Sequence, residues 1–216
     1  MRIFLIGATG GVGHRLLPIL VGKGHEVTGL HRKAEQADDI TKAGGMPARG
    51  DIIDMAVDDL ARAARGADVI VFSAGAAGSG LERTTAIDGD GPIKAIAAAQ
   101  KIGTRRLYLV SAFPDSQRSQ ERDSRFEHYM AEKKRAEIAV ASSPLDWVIV
   151  RPGKLVHEEG HGQVTIGAAV KSGKVARGNV AQVIAALIER PEIKREIYEL
   201  TDGDTLIRQA IDALVR

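Results

Sequence analysis

The chain has no cysteine, which excludes disulfides, thiol redox chemistry and cysteine-ligated zinc. Aromatic side chains supply only 4% of its 216 residues, so a core has to be assembled from Ala, Val, Ile and Leu. Charge of one sign is not in excess. Thirty basic against 28 acidic residues leave a formal +2, too small and too scattered to mark a nucleic-acid surface. Long apolar runs are missing as well: the opening run from Ile3 stops at Gly7, far short of a signal peptide or a membrane span. A cytoplasmic protein with no membrane partner is the expectation. No fixed-period repeat, charge block or Pro-rich linker interrupts the sequence, as suits one continuous fold. What is present, 44% hydrophobic and 27% charged residues, matches an ordinary globular protein, and the length suits a single domain over residues 1–216.

Short runs of Val, Ile and Leu alternate with longer Ala-rich segments of helical periodicity. This alternation predicts an α/β fold, a parallel sheet covered by helices on both faces. Strands are predicted near Arg2 to Ile6, Glu26 to His31, Met46 to Arg49, Asp68 to Ser73, Arg106 to Ser111 and Trp147 to Arg151. Helices are predicted near His14 to Gly22, Ala34 to Ala43, Met55 to Arg65, Pro92 to Ile102 and Ser124 to Ser142. Two of the strands, Val69-Ile70-Val71-Phe72 and Trp147-Val148-Ile149-Val150, are continuously apolar, the mark of strands buried on both faces. After Pro152-Gly153 the character changes to a Gly-rich stretch reaching Gly173, then a helix near Val180 to Glu189, a strand near Glu196 to Leu200 and a last helix. This tail, residues 152–216, reads as a short substrate-side extension.

Gly7, Gly10 and Gly13 lie three apart in GATGGVG, directly after the first strand and before an apolar helical pattern. Gly tolerates positive φ and lets backbone amides approach a ligand, while a helix start offers unpaired N–H groups. The turn fits a pyrophosphate, with the amides of Gly11 and Val12 facing it and Gly13 permitting close helix-to-strand packing. The alternative is a plain tight turn. At the end of the second strand an acidic side chain would select NAD, but His31-Arg32-Lys33 stands there. A guanidinium and an ammonium can pair with the 2′-phosphate of NADP, so NADP(H) is the expected cofactor. Otherwise Arg32 and Lys33 are solvated charges at a helix start.

These residues resemble an atypical short-chain dehydrogenase/reductase, of the NAD(P)H-binding and NAD-dependent epimerase/dehydratase branch. The resemblance spans nearly the whole chain. It includes Gly50-Asp51-Ile52-Ile53-Asp54, Ser111, Tyr129 with Lys133, the run Leu145 to Gly153, and the tail Tyr198 to Asp204. It implies a Rossmann-like doubly wound sheet. It also implies that Thr9, Ile52, Ser73 and Pro152 border the cofactor, that Asp51 receives the adenine amino group, and that the loop from Ala74-Gly75 runs beside it. As a bare residue, Asp51 is equally a turn or cap group.

Tyr129 and Lys133 are four apart in a predicted helix, so both point to one face. A phenol with a reference pKa near 10 is a proton donor at neutral pH, and a neighbouring cation favours its ionised form. The resemblance implies that Tyr129 protonates a developing alkoxide, that Lys133 holds the nicotinamide ribose, and that Ser111 orients the carbonyl. An accidental pair on a charged helix is the competing reading. Asp88 stands where the family usually has Asn, in Thr85-Ala86-Ile87-Asp88. A carboxylate there is expected to pair with Lys133, or to serve as a helix N-cap.

His157-Glu158-Glu159-Gly160-His161 spells a zinc-protease pattern, but the glycines around it indicate a loop and no third ligand is evident. No metal is expected. The function expected is an NADP-dependent oxidoreductase acting on a small carbonyl, an alcohol, or a conjugated acceptor such as a flavin or quinone. The alternatives are a redox sensor that binds NADP(H) without turnover, and an epimerase/dehydratase. The substrate is expected between Ala74 to Gly80, the charged segment Asp115 to Arg125 and a loop Lys154 to Gly167, in a monomer or homodimer.

Overall fold

The computed structural model describes residues 1–114 and 123–215. Six parallel strands form the body of one sheet: β1 (Arg2–Ile6), β2 (Glu26–His31), β3 (Met46–Arg49), β4 (Val69–Phe72), β5 (Arg106–Val110) and β6 (Asp146–Pro152). Their spatial order is β3-β2-β1-β4-β5-β6, so the direction of winding reverses between β1 and β4. Such a reversal opens a crevice at the carboxyl ends of the strands. Here that crevice starts where Ile6 and Phe72 are register partners.

The helices that cross between these strands are α1 (Gly13–Gly22), α2 (Gln36–Lys42), α3 (Val57–Ala63), α4 (Leu81–Thr84), α5 (Gly91–Ile102) and α6 (Ser124–Ala141). Alternate strand residues feed two separate cores. Ile3, Leu5, Val69, Val71, Tyr108, Val110, Val148 and Val150 pack with Leu16, Leu17 and Leu20 of α1. Phe4, Ile6, Ile70, Phe72, Leu107, Leu109 and Ile149 pack with Leu60, Ala95, Ala98, Ala99 and Val140 on the other face. Small Ala residues along α5 let it lie close to the sheet, which is how a chain poor in aromatics reaches dense packing.

The tail continues the same sheet. α7 (Arg177–Ile188) covers it, β10 (Glu196–Asp202) pairs parallel with β6, and β8 (Gln163–Gly167) pairs antiparallel with β10. The short β11 (Thr205–Leu206) adds to β8 before α8 (Ile207–Asp212), while β7 (Lys154–Val156) and β9 (Lys174–Ala176) form a separate two-stranded ribbon. The expected loop over Lys154 to Gly167 is therefore corrected: it contains β7 and β8. Their strand character comes from partners far along the chain, and segments of three to five residues carry little periodicity of their own. Among the described residues no helix is long and apolar enough to cross a membrane.

A second feature that periodicity did not reveal lies between α4 and α5. Residues Thr85–Asp90 form a π-helical turn, a widened geometry often found at functional sites. It turns Asp88 fully inward. Gly89 lies so close to α6 that a Cβ there would fall 2.0 Å from Glu132 Oε2 and 2.2 Å from Arg135 Nη2, and Arg135 in turn donates to Asp90 at 2.7 Å.

Candidate functional site

The carboxyl ends of β1, β2, β4 and β5 open into a cavity of about 810 Å³. At one side lies the glycine turn. Gly7 has φ +89°, and a Cβ on it would meet Ala74 N at 2.6 Å, so only glycine lets β1 and β4 release their chains side by side. Gly10 N donates to Gly7 O at 2.9 Å to close the turn. Gly13 does not line the cavity; a Cβ there would stand 2.0 Å from Gly7 O, so its part is the close seating of α1 on the turn. No side chain caps α1, and the amides of Gly11 and Val12 donate to no acceptor among the described residues.

Beyond β2, Arg32 lines the cavity with Nε 4.0 Å from Asp51 Oδ2. Asp51 Oδ1 accepts from Ile53 N at 3.0 Å, and Lys94 Nζ donates to the carbonyls of Ile52, Ile53 and Met55 at 2.8–3.1 Å. The Asp51-Ile52 corner is thereby fixed from beneath by α5. Gln36 fixes the other side: its Oε1 accepts from the amides of Arg32 and Lys33, and its Nε2 donates to Thr9 Oγ1 at 2.9 Å. Two residues expected at the cofactor, His31 and Lys33, are outside the cavity lining. The His31 ring is buried, with Nδ1 2.9 Å from Lys33 O, and the Lys33 ammonium sits 3.8 Å from Glu35 Oε1. Pro152 is also outside the lining, buried at the end of β6 opposite Leu200.

Ser73, Ala74, Gly75, Asp88, Ser111, Tyr129 and Lys133 line the remainder. The helix that carries Tyr129 and Lys133 starts at a true cap, Asp123 Oδ1 accepting from Phe126 N at 2.7 Å. Lower down, Glu137 takes a two-point contact from Arg151 at 2.6 and 3.0 Å, which locks α6 to β6. Lys133 and Asp88 are both buried, with Nζ 3.0 Å from Oδ1. Asp88 Oδ2 accepts from Ala76 N at 3.0 Å, so its side chain anchors the loop after β4 and caps no helix. Lys133 Nζ also lies 3.4 Å from Val110 O and 5.6 Å from the centre of the Tyr129 ring.

Burial pushes the Tyr129 phenol above its ordinary value; Lys133 opposes the rise and Asp88 adds to it. Burial works against the Lys133 ammonium, yet Tyr129, Asp88 and Glu137 outweigh it and hold that pKa above the ordinary one. The phenol is thus protonated and the amine charged at neutral pH. Ser111 Oγ is buried without a hydrogen-bond partner among the described residues, and Ser111 belongs to the cavity lining, so its hydroxyl is left over for a water or a bound group there.

His157 to His161 follow no helix, and Glu159 pairs with Arg15 at 2.7 Å. Part of the charged segment Asp115 to Arg125 lies outside the described residues; Asp123 and Arg125 line the cavity mouth. Sequence reasoning missed Gln36, Lys94 and Arg177. The last has a visible sequence signal, a basic residue opening α7 with no acidic residue in its first turn.

The family model described as NAD(P)H-binding matches residues 7–191. The chain belongs to the NAD(P)H-binding family. A curated Bacillus subtilis protein, the uncharacterized sugar epimerase YhfK, is 33% identical over 99% of this chain and 100% of its own. The solved structure of a candidate NAD-dependent epimerase/dehydratase from Bacillus halodurans is 32% identical, with a TM-score of 0.90 over 99% of this chain and 100% of that one. ChuY, an anaerobillin reductase from Escherichia coli O157:H7, is 27% identical with a TM-score of 0.79 over 94% and 98%. As a member of the NAD(P)H-binding family, the chain fits a dinucleotide on its own geometry: unpaired amides at an uncapped helix start, a glycine turn whose Gly7 lets β1 and β4 end side by side, and an orphaned hydroxyl in the lining of the same cavity.

Proposed function

We propose that this protein is an NADP(H)-dependent reductase of a small carbonyl or conjugated acceptor, with Tyr129 as proton donor. One observation carries the reading. A protonated phenol and an unpartnered Ser111 hydroxyl share a cavity with the glycine turn and Arg32. In this arrangement the amides of Gly11 and Val12 receive the diphosphate where Gly10 lets it approach, Arg32 pairs with the 2′-phosphate, and Asp51 faces the adenine. Bound reduced nicotinamide supplies a hydride. Ser111 donates a hydrogen bond to the acceptor oxygen, and Tyr129 Oη gives up its proton to that oxygen. The Lys133 charge stabilises the phenolate left behind and is itself balanced by Asp88. Burial keeps the phenol protonated at neutral pH, the form in which a proton donor begins a reduction.

The decisive assay follows NADPH absorbance with a panel of carbonyls, quinones and flavins, using the parent and Tyr129→Phe. Turnover should fall by a factor of about 10²–10⁴, the usual worth of a positioned acid, while NADPH affinity is retained. Equal rates for both proteins would remove Tyr129 from the chemistry. The Lys133–Asp88 contact favours a second reading, a sensor that binds NADP(H) without turnover, since Lys133 is already engaged by protein. Tight NADPH binding with no oxidation across the panel would select it.

A further inference from the structure

Arg177, the first residue of α7, reaches the cavity from the tail. Its side chain lies directly against the glycine turn: a Cβ on Gly11 would be 2.6 Å from both Cδ and Nε of Arg177. The side chain is half-buried, and its Nη1 is sealed from solvent; among the described residues Nη1 has no hydrogen-bond partner and no carboxylate pairs with the guanidinium. The neighbouring charges are otherwise matched. Arg15 donates to Gly11 O at 2.8 Å and to Glu159 at 2.9 Å. Asp202 already accepts from Ala176 N and Asn179 at the start of α7. Arg177 alone in this cluster is left unmatched, and it sits close enough to Arg15 for the two cations to disfavour each other.

A guanidinium held without a counter-ion beside a second cation costs stability unless an anion completes it. The unpaired Gly11 and Val12 amides lie on the same turn, and all three residues, Arg177 included, share the cavity lining. We infer that Arg177 binds the diphosphate of the dinucleotide, closing the glycine turn from the opposite wall. This rests on the cofactor reading above and extends it: the tail contributes to cofactor affinity as well as to the substrate side. Gly11 is then glycine so that the α7 cation can come close.

Arg177→Gln and Arg177→Lys are titrated by calorimetry with NADP⁺ and with adenosine 2′-monophosphate, which carries the 2′-phosphate and no phosphate at the 5′ position. Ligand-free thermal unfolding of each protein is recorded alongside. Arg177→Gln should weaken NADP⁺ about ten- to a hundredfold, the worth of one or two charged hydrogen bonds, and the monophosphate less than about threefold. Arg177→Lys should recover part of the loss. Ligand-free Arg177→Gln should unfold at or above the parent temperature, because it relieves an unmatched charge. Undiminished NADP⁺ binding by Arg177→Gln, equal losses for both ligands, or a lowered ligand-free unfolding temperature would each overturn the inference. A parent that bound no NADP⁺ would overturn the cofactor reading itself, and this inference with it.

Discussion

Asp88→Asn isolates the electrostatics of the site in one nearly isosteric change. The parent carboxylate divides its two oxygens between Lys133 Nζ at 3.0 Å and Ala76 N at 3.0 Å, and nothing of the side chain reaches solvent. An amide cannot serve both donors. With its oxygen on Ala76 its NH₂ confronts the ammonium; with the amide turned over, Ala76 N is orphaned. Removing one partner from a buried ion pair costs about 3–5 kcal/mol. An independent ceiling comes from Lys133 itself. An amine with an ordinary pKa of 10.5 loses its proton at pH 7 for about 5 kcal/mol, at roughly 1.4 kcal/mol per unit, so neutralisation caps the penalty near the same value. For a protein of this size each kcal/mol shifts the unfolding midpoint by about 2–4 °C, which gives a drop of about 6–20 °C by circular dichroism. The double variant Asp88→Asn/Lys133→Met should regain much of it, because no unpaired charge is left buried. If Asp88→Asn unfolded within about 2 °C of the parent, the Lys133–Asp88 contact would not be the electrostatic centre of the site.

Two further outcomes follow from the same geometry. Arg32→Ala should lose about 1.5–3 kcal/mol of NADPH affinity, roughly ten- to a hundredfold, while NADH binding stays within about twofold; parallel losses for the two would show that Arg32 is not the 2′-phosphate partner. The alkaline limb of stability is also fixed in sign. Tyr129 and Lys133 both have raised pKa values, so the folded state holds their protons longer than the unfolded chain. Their contribution is complete below about pH 10 and is lost as pH climbs above it. Urea midpoints should therefore decline above about pH 10 more steeply in the parent than in Tyr129→Phe, and identical slopes would contradict the assignment.

Much of the doubly wound sheet was legible because β4 and β6 carry continuous apolar runs and short apolar segments alternate with helices that keep their period. The glycine turn was legible because three glycines follow a strand and precede a helix, and the Tyr129–Lys133 pair because four residues make one helical turn. The residues that escaped share a different origin. Gln36 joins Thr9 to the Arg32 turn, Lys94 supports Ile52 and Ile53 from α5, and Arg177 meets Gly11 across 166 positions of sequence. Each acts through a side chain whose partner is set by tertiary packing, which no local pattern encodes. The π-helical turn is of the same kind, since its register is stabilised by α6 side chains set close over Gly89. His31 and Lys33 were expected at the cofactor from their position at the end of β2. The His31 ring is buried, and Lys33 lies outside the cavity lining, near Glu35.

The central claim is that one cavity holds a phosphorylated dinucleotide from the glycine turn to Tyr129. A crystal structure grown with NADPH reports on it most directly. The expected density has the diphosphate between Gly11 and Arg177, the 2′-phosphate beside Arg32 and the nicotinamide beside Ser111 and Tyr129. A cavity without cofactor at saturating NADPH, or a nicotinamide turned away from Ser111 and Tyr129, would contradict it.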